Sequence, residues 1–107
     1  MSSPVYFTKA AKQDLFEIYS YIKEEGYPLT ANNLFSQLKN TCNSLSETPE
    51  RGHIPKELER IGIYDYREIH IKVYRIVYQV IGSKVYIHCV LDGRRDMQEI
   101  LERRILR

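Results

Sequence analysis

The chain has no tryptophan, only two cysteines, and no arginine at all in its first 50 residues. Each scarcity excludes something. Cys42 and Cys89 are isolated, with no CxxC pair and no Cys/His cluster, so neither a disulfide framework nor a metal site is expected. Two reduced, buried thiols in a cytoplasmic protein are the expectation instead. No apolar run approaches the roughly 20 residues that a membrane span needs. The opening stretch MSSPVYFTKAAKQD lacks the basic n-region and long h-region of a signal peptide. No membrane association and no cofactor are expected.

A chain of 107 residues is expected to form one domain, 1–107. At this size folding buries about two-thirds of the unfolded surface, enough for a core without metal or disulfide staples. Charge is distributed unevenly. Residues 1–50 carry four Lys and six acids, a balance of −2, whereas residues 51–107 carry nine Arg, three Lys and eight acids, a balance of +4. The side chain that forks onto phosphates and carboxylates is thus confined to the second half.

The stretch PVYFT predicts a short strand, and Thr8 a helix N-cap. Ala11, Leu15, Ile18 and Ile22 follow at helical spacing, and Gly26 and Pro28 end that helix. A second helix is predicted from near Thr30, with Ala31, Leu34, Leu38, Cys42 and Leu45 on one face, stopping before Pro49. A short connection makes the two an antiparallel hairpin. Residues 49–64 read as an irregular polar crossing in which His53 is a solvated loop residue. From Tyr66 the period becomes two. Ile69 and Ile71 alternate with Glu68, His70 and Lys72, and Gly82-Ser83 signals a two-residue turn of type II′. That turn pairs Ile81 with Lys84. The uninterrupted register then places Tyr74, Ile76, Tyr78 and Val80 with Val85, Ile87, Cys89 and Leu91 under the helices. It leaves Arg75, Val77, Gln79, Tyr86, His88 and Val90 on an uncovered face, with Arg75 opposite Val90 and diagonal to His88. Either that face is a polar binding surface or it is merely wet, as one face of an antiparallel sheet often is.

The closing segment VLDGRRDMQEILERRILR combines an acid, two arginines and an amphipathic run. Asp96 predicts an N-cap, with Glu99 three residues on as the reciprocal half of a capping box. Met97, Ile100, Leu101 and Ile105 form the apolar stripe of a last helix. About ten residues make a marginal helix alone, so it must pack on its own domain or on a partner. Arg103, Arg104 and Arg107 suit the dipole at its C-terminal end. Arg94 and Arg95 precede the helix and have no such explanation. The fold class expected is α+β: an N-terminal strand, a helical hairpin packed on one face of a twisted antiparallel sheet, and a short C-terminal helix.

FTKAAKQDLFEIYSYI, then Leu45, Pro49 and Gly52, then Arg67-Glu68-Ile69, YRIVYQV and DGRRD, taken in order over nearly the whole chain, resemble the RelE/ParE superfamily of bacterial toxins, the plasmid-stabilisation type of toxin–antitoxin system. The resemblance implies a growth-arresting toxin neutralised by a cognate antitoxin. That antitoxin is a small protein whose disordered C-terminal segment wraps the toxin and whose N-terminal part binds operator DNA. The superfamily divides in activity. RelE-like members are ribosome-dependent mRNA endonucleases. Arg75 matches an arginine of their central strand and Arg95 a second one after the last strand, but Tyr66, Glu68 and Leu101 stand where RelE carries two lysines and a tyrosine. His88 or His70 could serve as a general base, since an unperturbed imidazole titrates at about pH 6.5. ParE-like members inhibit DNA gyrase and have no assigned active site. Arg67-Glu68 and DGRRD resemble these more closely, which implies a docking surface that includes Arg67, Arg75, Arg94 and Arg95. Gyrase inhibition is the favoured expectation, mRNA cleavage by Arg75, Arg95 and His88 the alternative, and a decayed toxin that only binds antitoxin a third. The oligomeric state stays open between a homodimer and a hetero-oligomer.

Overall fold

A computed structural model describes residues 2–106; Arg107, expected to suit the dipole of the last helix, lies outside them. Strand β1 (Val5–Phe7) leads into helix α1 (Lys9–Glu24), and α2 (Pro28–Asn43) returns antiparallel to it. The hydroxyl of Thr8 accepts the Ala11 N–H at 3.1 Å, the expected cap. Gly26, at φ 99°, closes α1 by letting the Tyr27 N–H reach back to the Ile22 carbonyl, a Schellman arrangement that only a residue at ease in the left-handed region supports. Pro28 then opens α2 at its first turn, where a missing N–H costs nothing, so this helix begins two residues before the expected Thr30.

After a 3₁₀ turn at Ser44–Ser46 the chain crosses to the sheet, forming on the way one turn of helix, α3 (Lys56–Glu59), that the polar crossing did not predict. Strands β2 (Arg67–Ile71), β3 (Tyr74–Ile81) and β4 (Lys84–Asp92) form an antiparallel meander, and β1 joins it in parallel beside β4, giving the order β1-β4-β3-β2. The sheet is therefore mixed, and the expected α+β architecture carries one parallel edge. Gly82 supplies φ 61° at the first position of the β3–β4 turn, as type II′ requires, and Ile81 pairs with Lys84 as expected.

The register holds from that turn to Tyr78↔Ile87 and then shifts, since Val77 pairs with Cys89 and His88 is the extra residue of a β-bulge. A one-residue shift exchanges the two faces. Val90, expected on the uncovered face, joins the core beneath α1 and α2 with Leu15, Leu38, Ile76 and Tyr78. Cys89 and Leu91, expected there, face the other way with Val77. Arg75 stands opposite Leu91, not Val90. The second face is not uncovered at this end: Val77, Cys89 and Leu91 pack with Leu58 of α3 and with Met97, Ile100 and Leu101 of helix α4 (Met97–Ile105). The apolar stripe of α4 is thereby spent on its own fold. Asp96 caps it through the Glu99 N–H at 3.1 Å, while the Glu99 carboxylate turns away to Arg103 and leaves the reciprocal half of the capping box unmade.

The crossing is pinned at Gly52. Its N–H donates to the Tyr78 hydroxyl at 2.9 Å, and a Cβ there would lie 2.5 Å from the Glu68 carbonyl oxygen. Gly52→Ala is expected to lower stability by about 1–3 kcal/mol, the usual cost of overpacking. Leu101 is fully buried, and Leu101→Ala is expected to cost about 2–5 kcal/mol. Chemical denaturation of both variants checks this; a Leu101→Ala protein as stable as wild type would mean that α4 is a loosely held appendage.

Candidate functional site

Two clusters of ionisable side chains flank the sheet, and each begins from a carboxylate that the fold has buried. Glu68 on β2 and Glu57 on α3 are 2 % and 5 % exposed. Both are held by Arg75 of β3. Its Nε and Nη2 donate to the two Glu68 oxygens at 2.6 and 2.9 Å, and its Nη1 and Nη2 donate to the two Glu57 oxygens at 2.8 and 2.6 Å. All three guanidinium nitrogens are engaged. The Arg75 hydrogen bonds hold the Glu57 carboxyl below its ordinary value, and the Arg75 pKa is raised in turn, chiefly by Glu57. Gly93 lets the β4 exit close over this arginine, since a Cβ there would fall 2.8 Å from the Arg75 Cδ. Arg75, expected on an open face, is an interior clamp.

On the solvent side of Glu68 stand two imidazoles. His53 Nε2 lies 3.2 Å from Oε2, and His70 Nε2 lies 3.3 Å from Oε1. His70 reaches Glu68 because residues i and i+2 of a strand share a face. His53 arrives through a bridge in which His53 and Glu68 exchange both backbone hydrogen bonds, at 3.1 and 2.7 Å. His53, read as a solvated loop residue, is thus fixed beside the sheet.

The second cluster joins α1 to the chain's end. Asp14, 4 % exposed, receives a bidentate Arg104 at 3.0 and 2.5 Å and the backbone N–H of Val90 at 3.0 Å. Strand β1 covers β4 only as far as Ile87, so the Asp14 carboxylate takes up the edge donor just beyond it. Beside this junction a cleft of about 380 Å³ has an apolar wall of Ile18, Ile22, Tyr21 and Tyr74 and an edge formed by Arg94 and Arg95. Both arginines are exposed. Arg94 forks onto Asp92 at 3.0 and 2.7 Å, which draws the Asp92 carboxyl down to about 2.

The remaining expected site residues lie elsewhere. Arg67 donates to the carbonyls of Gly52 and Glu50 at 2.7 and 3.2 Å and braces the crossing. His88, at the bulge, hydrogen-bonds Gln79 at 3.2 Å and meets the Tyr66 ring edge-on, and burial lowers its pKa. Arg75, Arg95 and His88 therefore do not converge on one point. Burial pushes the Cys42 and Cys89 thiols up to about 12 and about 11, which makes both poor nucleophiles.

A helical hairpin and a four-stranded sheet with an arginine-bearing exit define a small class of proteins, and comparisons with known ones say which. The family described as "ParE toxin of type II toxin-antitoxin system, parDE" matches residues 5–97. The chain belongs to that family and is a toxin of a type II toxin–antitoxin system. A search of curated proteins returns no match. Among solved structures, the chain is similar to the chromosomal ParDE system of P. aeruginosa, with a TM-score of 0.69 at 15 % identity over 83 % of this chain and 94 % of that one. It is also similar to the RelBE2 toxin–antitoxin complex of Mycobacterium tuberculosis, at 0.63 and 19 % over 84 % and 96 %. A mutant of E. coli RelE in the free state aligns at 0.65 and 20 % over 99 % of this chain and 97 % of that one. At these identities the likeness is one of fold, and it spans both branches of the superfamily.

Removing Arg75 leaves two buried carboxylates facing each other. Arg75→Met is therefore expected to destabilise the protein by about 3–5 kcal/mol at neutral pH. The acid limb gives the sign. A carboxyl held low in the folded state adds stability above its ordinary value of 4.5, and that stability is lost as pH falls through the folded value. Wild type should weaken below about pH 4.5, while the variant's deficit shrinks as its carboxylates take up protons. Urea midpoints of both proteins from pH 7 to 3 measure it; a deficit that does not change with pH would remove the clamp from the account.

Proposed function

We propose that this toxin acts by docking on DNA gyrase, the ParE-like mode, and that Arg94, Arg95 and the cleft they border form the docking surface. The observation that carries the reading is the state of Arg75. A nuclease of this fold would need its strand arginine free to meet a scissile phosphate. Here two carboxylates engage all three of its nitrogens, and one surplus negative charge would repel a phosphate. The paired exposed arginines beside an apolar wall instead suit a protein partner, because a guanidinium both forks onto carboxylates and packs through its stem. Of the other expected docking residues, Arg75 lies beneath the β4 exit at Gly93, and Arg67 braces the crossing away from this cleft.

Membership of the family supplies the second partner, a cognate antitoxin, through which operator DNA would be reached. A groove of about 530 Å³ between α1 and α2, lined by Leu15, Phe16, Tyr19 and Phe35 with Lys12 and Lys39 at its edge, has the apolar floor and positive rim to seat the folding segment of a small acidic protein.

Ribosome-dependent mRNA cleavage is the second reading, and the exposed His53 and His70 beside Glu68 favour it, since imidazole and carboxylate can exchange protons with a ribose hydroxyl. One purified sample in two assays separates the readings: inhibition of gyrase supercoiling is expected, with ribosome-programmed mRNA left intact. The double charge reversal of Arg94 and Arg95 should abolish growth arrest while the unfolding transition stays near that of wild type. Cleavage of mRNA with supercoiling unaffected would transfer the protein to the nuclease branch, and a fully toxic double variant would rule out these arginines as the docking surface.

A further inference from the structure

We propose that His53, Glu68 and His70 form a binding site for a divalent transition-metal ion, with the two imidazoles and the Glu68 carboxylate as ligands. One ligand atom from each of the three residues can be chosen so that all lie within 4.8 Å of one another. In a tetrahedral zinc site, with bonds of about 2.0–2.1 Å, nitrogen and oxygen ligand atoms sit about 3.3 Å apart. The two N···O separations here are 3.2 Å from His53 Nε2 to Oε2 and 3.3 Å from His70 Nε2 to Oε1, so each imidazole meets its own oxygen of the one carboxylate. The two imidazoles have to swing toward a common point at the carboxylate, and both are on the surface, with side chains 66 % and 52 % exposed.

The placement is rigid where a metal site needs rigidity. Glu68 and His70 share one strand face, and the backbone bridge between His53 and Glu68 fixes the third ligand. Behind them Arg75 grips Glu68 through both oxygens, the kind of outer contact that orients a ligating carboxylate. Charge points the same way. Glu57 and Glu68 bring two negative charges to this corner and Arg75 one positive, so a buried unit of negative charge faces two neutral-capable nitrogen donors. Lys56 borders the same cleft, but its flexible stem lets the ammonium turn to water. Imidazole and carboxylate donors suit zinc among the available divalent ions, and three protein ligands leave a fourth position open. An ion held there would cross-link the 49–55 crossing to β2, independently of whether gyrase or mRNA is the target.

The test uses the untagged full-length protein, stripped with a chelator and titrated with zinc chloride by calorimetry, with cobalt(II) as the spectroscopic probe. One ion per chain is expected, with a higher melting temperature and the visible absorption of tetrahedral cobalt(II). His53→Ala and His70→Ala, both at exposed positions, should keep the wild-type circular dichroism and each weaken binding by at least about tenfold, since even outer-contact residues are worth about 10–100-fold in metal affinity. Absence of zinc binding overturns the proposal. So does binding that survives both substitutions, which would put the ion elsewhere.

Discussion

The contact on which the structure most depends is the grip of one arginine on two buried carboxylates. Arg75 comes from the middle of the sheet, Glu68 from the adjacent strand and Glu57 from the one-turn helix of the crossing, so the three join the sheet to the crossing. Buried ion pairs seldom add net stability over a well-packed apolar alternative, but losing one partner is costly. That asymmetry makes the triad a device for uniqueness: any packing of the crossing that fails to deliver Glu57 to Arg75 leaves the Arg75 Nη1 without its acceptor. The imidazole pair stands directly against Glu68, and the β4 exit that carries Arg94 closes over the Arg75 stem at Gly93.

The bulge at His88 is the second determinant. Without it α4 would find a polar face and Val90 would lie outside the core. With it, one sheet presents an apolar surface to α1 and α2 and another, further along, to α3 and α4. A short helix of nine residues, marginal by itself, acquires a floor of Val77, Cys89 and Leu91. The cost is an irregular edge on β4, and Asp14 meets it by accepting the Val90 N–H that β1 is too short to reach.

Local signals were the legible ones. Thr8, Gly26, Gly82 and Asp96 act on their own few residues, and each does what its chemistry implies. The helical stripes were equally readable, because a period needs no knowledge of what lies opposite. The bulge was not readable, since it adds one residue to an apolar alternation without altering its composition, and the face assignment beyond it failed for that reason alone. Neither was α3, where four residues are too few to show a period. Asp14 did leave a signal that went unused: a carboxylate three residues after Ala11 and next to Leu15 sits on the buried stripe and demands a buried cation, which Arg104 supplies. His53 left none, as its place beside His70 depends wholly on tertiary contact.

The parallel pairing of β1 with β4, together with Asp14 held by Arg104, ties the first residues of the chain to almost the last. During synthesis the amino-terminal strand therefore emerges long before the edge it must join exists. The hairpin of α1 and α2 can form early from local contacts, but the sheet cannot close until β4 has been made, nor α4 be locked until Arg104 has. A poison built this way takes its final shape only once Asp14 and Arg104, 90 residues apart, have both been made.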